Sequence, residues 1–169
     1  MPGQPSFRDG RPGDVEAMAW ARSEDQRDEW RRQLARAETG EVDFLVAEVD
    51  GHVVGKAVLD WSHNADGTPW LWLGSVDPDY RGRGIGALGL AVAEQRARER
   101  AHPAIEMCVD DENPRARDLY ERSGYRVVGP YLDEHDETRP DGSRVRVASP
   151  GVRLRKQLSA GPEAATADS

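Results

Sequence analysis

The six residues Arg81-Gly82-Arg83-Gly84-Ile85-Gly86 constrain this chain more than any other stretch of it. Glycine at alternate positions ahead of an amphipathic run lets successive backbone amides turn toward one point with no Cβ in the way. A helix opening there adds about half a positive charge at its N-terminus. Such a nest holds phosphate, and the two interleaved arginines can fork onto phosphate oxygens. The alternative is a solvated Arg-Gly loop, and the helical periodicity that follows at once argues against it.

The remaining elements are read around that turn. After Arg11-Pro-Gly-Asp14, residues Val15 to Arg22 read as a short helix with Asp14 as its cap. Ser23-x-x-Gln26 is a capping box for a second helix, which carries Trp30, Leu34 and Ala37 until Gly40 stops it. Val42 to Val49, Asp50-Gly51 and His52 to Leu59 spell a β-hairpin. Trp70 to Val76 reads as a buried strand ended by Asp77-Pro78. The helix after the glycine run is expected to turn Ile85, Leu88, Val92 and Gln95 to one side. Ala104 to Val109 is a strand, and Asn113-Pro114 opens a helix that packs Ala116, Leu119 and Tyr120. Gly124 closes it before a strand at Tyr125 to Val128. Gly129 to Gly142 reads as a long surface loop, and Val145 to Leu154 as a last strand that Pro150 demotes to an edge or a bulge. This order predicts an α/β (α+β) fold: a mixed central sheet with N-terminal helices, a β-hairpin and a crossover helix. It fits one domain over residues 1–158, with 159–169 a disordered tail.

Composition removes several classes of function. No run among the 169 residues approaches the roughly 20 apolar positions of a bilayer crossing, and residues 1–10 lack a signal-peptide core, so a cytoplasmic protein is expected. Cys108 is alone, which excludes an internal disulfide, and the four histidines have no zinc-ligand spacing, so no metal is expected. A net charge of −8 disfavours nucleic acid as a partner. Lys56 and Lys156 are the only lysines among 23 basic residues, so the arginine richness is chain-wide and marks no single arginine as a binder.

Gly84-Ile-Gly86-Ala-Leu-Gly89 also matches the letters of the dinucleotide fingerprint, with Glu106 near the spacing of a ribose-binding acid. In that fold the strand runs straight into the first glycine, whereas residues 77–83 separate Val76 from Gly84 here. An NAD-linked oxidoreductase is the third-ranked reading for this reason.

Taken together, Val76-Asp-Pro-Asp-Tyr-Arg-Gly-Arg-Gly-Ile-Gly86 resembles the R/Q-x-x-G-x-G/A signature of the GNAT N-acetyltransferase family, with Arg81, Gly84 and Gly86 at the matching positions. A second block, Asn113-x-x-Ala116-x-x-Leu119-Tyr120-x-x-x-Gly124-Tyr125, follows at the family's distance. The resemblance is specific over roughly residues 70–128. It implies an acyl-CoA N-acyltransferase fold and acetyl-coenzyme A as acetyl donor. It further implies that Ser75, Val76 and Asp77 pair with the pantetheine arm and that Arg81, Gly82, Arg83, Gly84, Ile85 and Gly86 cradle the pyrophosphate. Asn113 would bond the cofactor arm, and Tyr120 would lie at the thioester and protonate the departing thiolate. Each has a bland counterpart, a helix cap for Asn113 and a core aromatic for Tyr120.

The implied reaction is attack by an amine, of a small molecule or of a protein, on the thioester. An alkyl amine of pKa about 10.4 is neutral in about one molecule in 2,500 at pH 7, a handicap of roughly 4.6 kcal/mol, so a proton acceptor is needed. The strand at Trp70–Val76 offers no carboxylate. Glu106, Asp60, Asp43 and a relay through Ser75 are the candidates, with none assigned. Trp61, Trp70 and Trp72 are read as a possible acceptor pocket or as core, and the acids Asp133, Glu134, Asp136 and Glu137 as a lure for a cationic amine or as a solvated loop. The alternative from another class is a non-catalytic acyl-coenzyme A sensor on the same fold. The oligomeric state is not readable from the sequence, although the resembled family frequently forms homodimers.

Overall fold

Asp50 and Gly51 both adopt positive φ, 50° and 78°, which is the backbone of the two-residue turn that matches the twist of its strands. The hairpin they join, β2 (Val42–Val49) with β3 (His52–Asp60), is the antiparallel centre of the sheet. Around it the computed structural model, which describes residues 3–159, places β1 (Ser6–Asp9), α1 (Asp14–Ala17), α2 (Glu24–Glu38), β4 (Trp70–Val76), α3 (Ile85–Glu99), β5 (Ala104–Asp110), α4 (Pro114–Arg122), β6 (Arg126–Thr138) and β7 (Arg144–Gln157). The strands form one sheet in the order β1-β2-β3-β4-β5-β7-β6, in which only β4 and β5 are parallel. No described helix is long and apolar enough to cross a membrane.

Alternation along β2 divides the core in two. Phe44 and Val46 pack with Val15, Met18, Trp30 and Val58 beneath α1 and α2. Leu45 packs with Leu59, Leu71, Leu90, Ile105, Met107 and Leu154 on the side of α3 and α4. Ser23 caps α2 as the sequence predicts, accepting from the Gln26 amide at 3.1 Å, and Gln26 Oε1 accepts from the Arg22 amide at 2.8 Å.

Several expectations need correction. Before the helices stands β1, paired with β2 from Ser6↔Glu48 to Asp9↔Leu45. The first helix is the single turn Asp14–Ala17, capped by Gly13; Asp14 is inside it and binds both nitrogens of the Arg8 fork, at 2.8 and 2.9 Å. The buried face of α3 is Ile85, Gly89, Leu90, Ala93, Glu94 and Ala97, while Gln95 is exposed, because small residues let the helix lie close on the sheet. The expected loop at 129–142 is mostly the outer half of β6, paired with β7 as far as Thr138↔Arg144. Pro150 does fall on an edge, as the sequence predicts, because β7 has only β6 as a strand partner before Gly151. β7 runs between β5 and β6, and Pro150 stands one residue past the last β5 pair, Asp110↔Gly151, where a missing ladder donor costs nothing on that side. Of the predicted tail, residues 160–169 lie outside the described residues.

β6 and β7 therefore continue beyond β5 as a two-stranded arm, residues 131–150, which bends over the α2 side of the sheet. Tyr131 at its base packs against Trp70 with ring centroids 5.3 Å apart, and at its tip the Thr138 amide donates to Asp25 of α2 at 2.9 Å.

Candidate active site

Among the described residues the parallel ladder between β4 and β5 holds only at Trp70↔Glu106 and Leu71↔Met107. Beyond it the strands diverge, β4 to Val76 and β5 to Asp110. A bulge helps to steer β4 away: Trp72 pairs with Val58 but Ser75 pairs with Lys56, so two residues of β4 stand opposite one of β3. Ser75, Val76 and Asp77 thus lie half-buried along an unpaired strand edge. The Trp20 indole donates to Ser75 Oγ at 2.8 Å and fixes that side chain on the α2 side.

At the end of this edge Asp77 caps a short 3-10 turn, Pro78–Tyr80, and Arg81 leads into the glycines. Gly82 and Gly84 have φ of 76° and 78°, with open space where a Cβ would project. Gly84 is the cap of α3, whose first intrahelical bond runs from the Leu88 amide to the Gly84 carbonyl at 3.0 Å. The amides of Ile85, Gly86 and Ala87 therefore point out of the helix end with no carbonyl ahead of them. Arg81 and Arg83 are exposed beside them, and the Arg83 guanidinium lies over the Tyr80 ring at 4.8 Å. Gly86 has a different constraint, because a Cβ there would meet Leu119 Cδ2 of α4 at 3.1 Å. It permits close packing of α3 on α4.

Asn113 caps α4, accepting from the Ala116 amide at 3.2 Å, which leaves its side-chain NH₂ to donate elsewhere. Tyr120, one face of α4 further on, is half-buried, and burial followed by the neighbouring Cys108 holds its phenol protonated above the ordinary range. Cys108 faces the widening gap, its thiol pushed up to about 12 by burial and then by Asp133 and Asp110. Among the described residues the Tyr120 hydroxyl makes no hydrogen bond.

The carboxylates considered as proton acceptors are engaged. Glu106 is 6% exposed and bound by Arg155 at 3.0 Å and Arg153 at 3.8 Å. Asp60 is paired with Arg36 at 2.9 Å, and Asp43 with Arg96 at 3.1 Å on the opposite face of the sheet. The three tryptophans do not meet in one pocket. Trp70 is core, stacked on His63 at 4.6 Å, and Trp72 lies near it, but Trp61 is on the α3 side under Arg100. The sequence reading missed Asp110, at the end of β5 where the gap opens. Its carboxyl is held above the ordinary range by burial first and then by Asp133, and no ion pair engages it among the described residues. Asp133 and His135 point inward from the arm, and His135 is raised by its bond to Glu137 at 2.9 Å. The signal that could have found them is the period-2 alternation Tyr131, Asp133, His135, which is charged rather than apolar.

The dinucleotide reading does not fit this geometry. The 3-10 turn separates β4 from Gly84, Gly89 packs against Phe7 inside the helix, and Glu106 is closed into its ion pairs.

Residues 11–125 match the sequence model of the acetyltransferase (GNAT) family. Among solved structures, a ribosomal-protein-alanine N-acetyltransferase from Brucella melitensis is similar with a TM-score of 0.69 at 20% identity, over 90% of this chain and 99% of that one. The ribosomal-protein-S18-alanine N-acetyltransferase of Escherichia coli gives 0.65 at 18%, over 95% and 97%. A GNAT family acetyltransferase from Elizabethkingia anophelis, solved with acetyl-CoA bound, gives 0.64 at 14%, over 92% and 99%. At these identities the likeness is one of fold.

Proposed function

This chain belongs to the GNAT acetyltransferase family and is an N-acetyltransferase, and from that premise we propose that acetyl-coenzyme A lies in the β4–β5 gap and gives its acetyl group to an amine arriving from the arm side. The observation that carries this reading is the continuity of one surface. The unpaired edge at Ser75–Asp77 leads into the amide nest at Gly82–Gly86, and Tyr120 of α4 lies near Cys108 of β5, across from that edge. An extended pantetheine can pair with the strand edge as an added strand would. The diphosphate meets the amides, the helix dipole and the two arginines. Asn113, while capping α4, retains its NH₂ for a carbonyl of the arm.

The amine nitrogen attacks the thioester carbonyl, the carbon–sulfur bond breaks, and the thiolate takes the Tyr120 proton. The proton lost by the amine goes to Asp110, and both groups recover through solvent. Asp110 suits this role because burial first and then Asp133 raise its pKa against an opposing pull from His135, with Glu112 and Asp111 adding smaller like-charge contributions. The same carboxylates favour a cationic amine, whether of a small molecule or of a protein.

Thiol release from acetyl-coenzyme A, measured over spermidine, a peptide with a free N-terminal alanine, and neutral aromatic amines, tests this reading. Turnover above the water rate with a cationic amine is expected. Tight binding with no turnover on any amine would make the chain a sensor instead. Two substitutions refine the assignment. Gly84→Val forces a branched side chain onto a φ of 78° and should weaken acetyl-coenzyme A binding at least about tenfold, roughly 1.4 kcal/mol by calorimetry on the folded variant. Asp110→Asn should lower kcat/KM about 10- to 100-fold. A base works only when deprotonated, so kcat/KM of the unaltered chain should fall as pH drops through the raised Asp110 pKa, and the variant should lose that acid limb.

A further inference from the structure

Behind Tyr120 lies a buried polar cluster that the chemistry above does not use. Glu94 of α3 is 5% exposed, yet it carries a carboxylate. Lys156 of β7 donates to its Oε1 at 2.5 Å, the Tyr125 hydroxyl donates to its Oε2 at 3.4 Å, and Arg98 approaches at 3.9 Å. Tyr125 is 2% exposed. Its backbone amide bonds the Tyr120 carbonyl at 3.0 Å, and its ring meets the Tyr120 ring edge-on, with centroids 6.4 Å apart at 63°.

A buried ion pair is a poor way to join a helix to a sheet, because apolar residues of the same volume usually do as well or better. What a carboxylate adds is direction: it fixes the Tyr125 hydroxyl, hence the ring plane, hence the ring resting against it. The Tyr120 hydroxyl has no hydrogen bond of its own among the described residues, so its aim depends on that contact and on the end of α4. Gly124, at φ 98°, turns the chain there so that Tyr125 can reach back. The cluster also joins three elements, since Glu94 is on the helix whose first turn forms the amide nest, while Lys156 is on the strand that continues into the arm.

We infer that Glu94, acting through Tyr125, is a positioning residue that aims the Tyr120 hydroxyl at the departing sulfur. This rests on the reading of Tyr120 as proton donor. Direct contact with substrate is left to Tyr120, and Glu94, Lys156 and Tyr125 act through it.

The test is a double-mutant cycle on thiol release, run with the fastest amine of the panel above, or with water as acceptor if none is faster. Tyr125→Phe keeps the packing and removes only the hydroxyl. Glu94→Met combined with Lys156→Met removes the anchor and leaves only the partly exposed Arg98 without its carboxylate. Each is expected to lower kcat about 5- to 20-fold with KM for acetyl-coenzyme A changed less than twofold. In a Tyr120→Phe background each should lower kcat less than twofold further, because the group they aim is gone. In the unliganded protein, NMR of ring-labelled tyrosine should show faster flipping of the Tyr120 ring in both variants. Unchanged kcat, a loss that multiplies fully in the Tyr120→Phe background, or an unchanged flip rate each overturns the inference while leaving Tyr120 as donor. A Tyr120→Phe enzyme of normal kcat overturns both together.

Discussion

Replacing Tyr120 with phenylalanine should lower turnover by about 10² to 10⁴ while leaving acetyl-coenzyme A affinity and thermal stability nearly unchanged. The ring stays edge-on to Tyr125 and packed on the α3–α4 core, so the substitution removes only the proton that the thiolate needs. A hydroxyl with no hydrogen bond among the described residues loses no internal partner when deleted, so stability should not follow activity. Tyr120→Ala is the contrasting variant. It creates a cavity and should cost roughly 3 to 5 kcal/mol of stability in addition to activity. Kinetics and melting on both variants check the assignment, and normal turnover in the phenylalanine variant would return Tyr120 to the core.

The second large effect is expected at Lys56, which is 3% exposed on β3 opposite Ser75, with its ammonium 4.6 Å from the centre of the Trp30 ring. Burial pulls its pKa from 10.5 down to about 7, against a smaller opposing pull from Glu29. Between those two values the unfolded chain carries a proton that the folded chain does not. Stability therefore rises with pH across that window, by about 1.4 kcal/mol per unit from this group, and is lowest below pH 7, where the charge is buried in full. Lys56→Met removes the titration. Denaturant unfolding of both proteins from pH 6.5 to 9.5 should show the variant's relative advantage shrinking by about 3 kcal/mol as pH rises. A pH-independent difference would show that Lys56 stays charged in the fold.

The parts of this molecule that were legible in the sequence are those fixed by local chemistry. Asp50-Gly51, Ser23 and Asn113-Pro114 each satisfy a backbone need within a few residues and act as read, and the glycine run opens α3 where it was expected to. The family resemblance, drawn from the two blocks around Arg81 and Asn113, was borne out by the match over residues 11–125. What escaped depends on partners far along the chain. β1 is four residues, Ser-Phe-Arg-Asp, and is a strand because β2 accepts it; Arg8 then reaches Asp14 and Glu48, a network no local pattern announces. β6 alternates, but with Asp133 and His135 on its inner side, so a search for apolar alternation reads a loop. The face of α3 was misjudged because Gly89, Ala93 and Ala97 carry the contact, where larger residues were expected to. At the site, Glu106 was an attractive acid by position along its strand, and only the fold reveals Arg153 and Arg155 closing over it.

The arm formed by β6 and β7 past the end of β5 has a dynamic consequence. Among the described residues its strands pair only with each other there, apart from the Asp111 amide donating to the Pro150 carbonyl at the base, and its tip is tied to α2 by the bond from Thr138 to Asp25. The proposed cofactor side rests instead on β2 and β3, each paired on both edges, and on β4, paired along β3, between two apolar cores. Amide protons of residues 131–138 and 144–149 should therefore exchange with solvent through small openings, orders of magnitude faster than those of Leu45 or Val58, which wait for global unfolding. The wall proposed to face the incoming amine can then loosen and reclose many times while the proposed cradle for the acetyl donor stays folded.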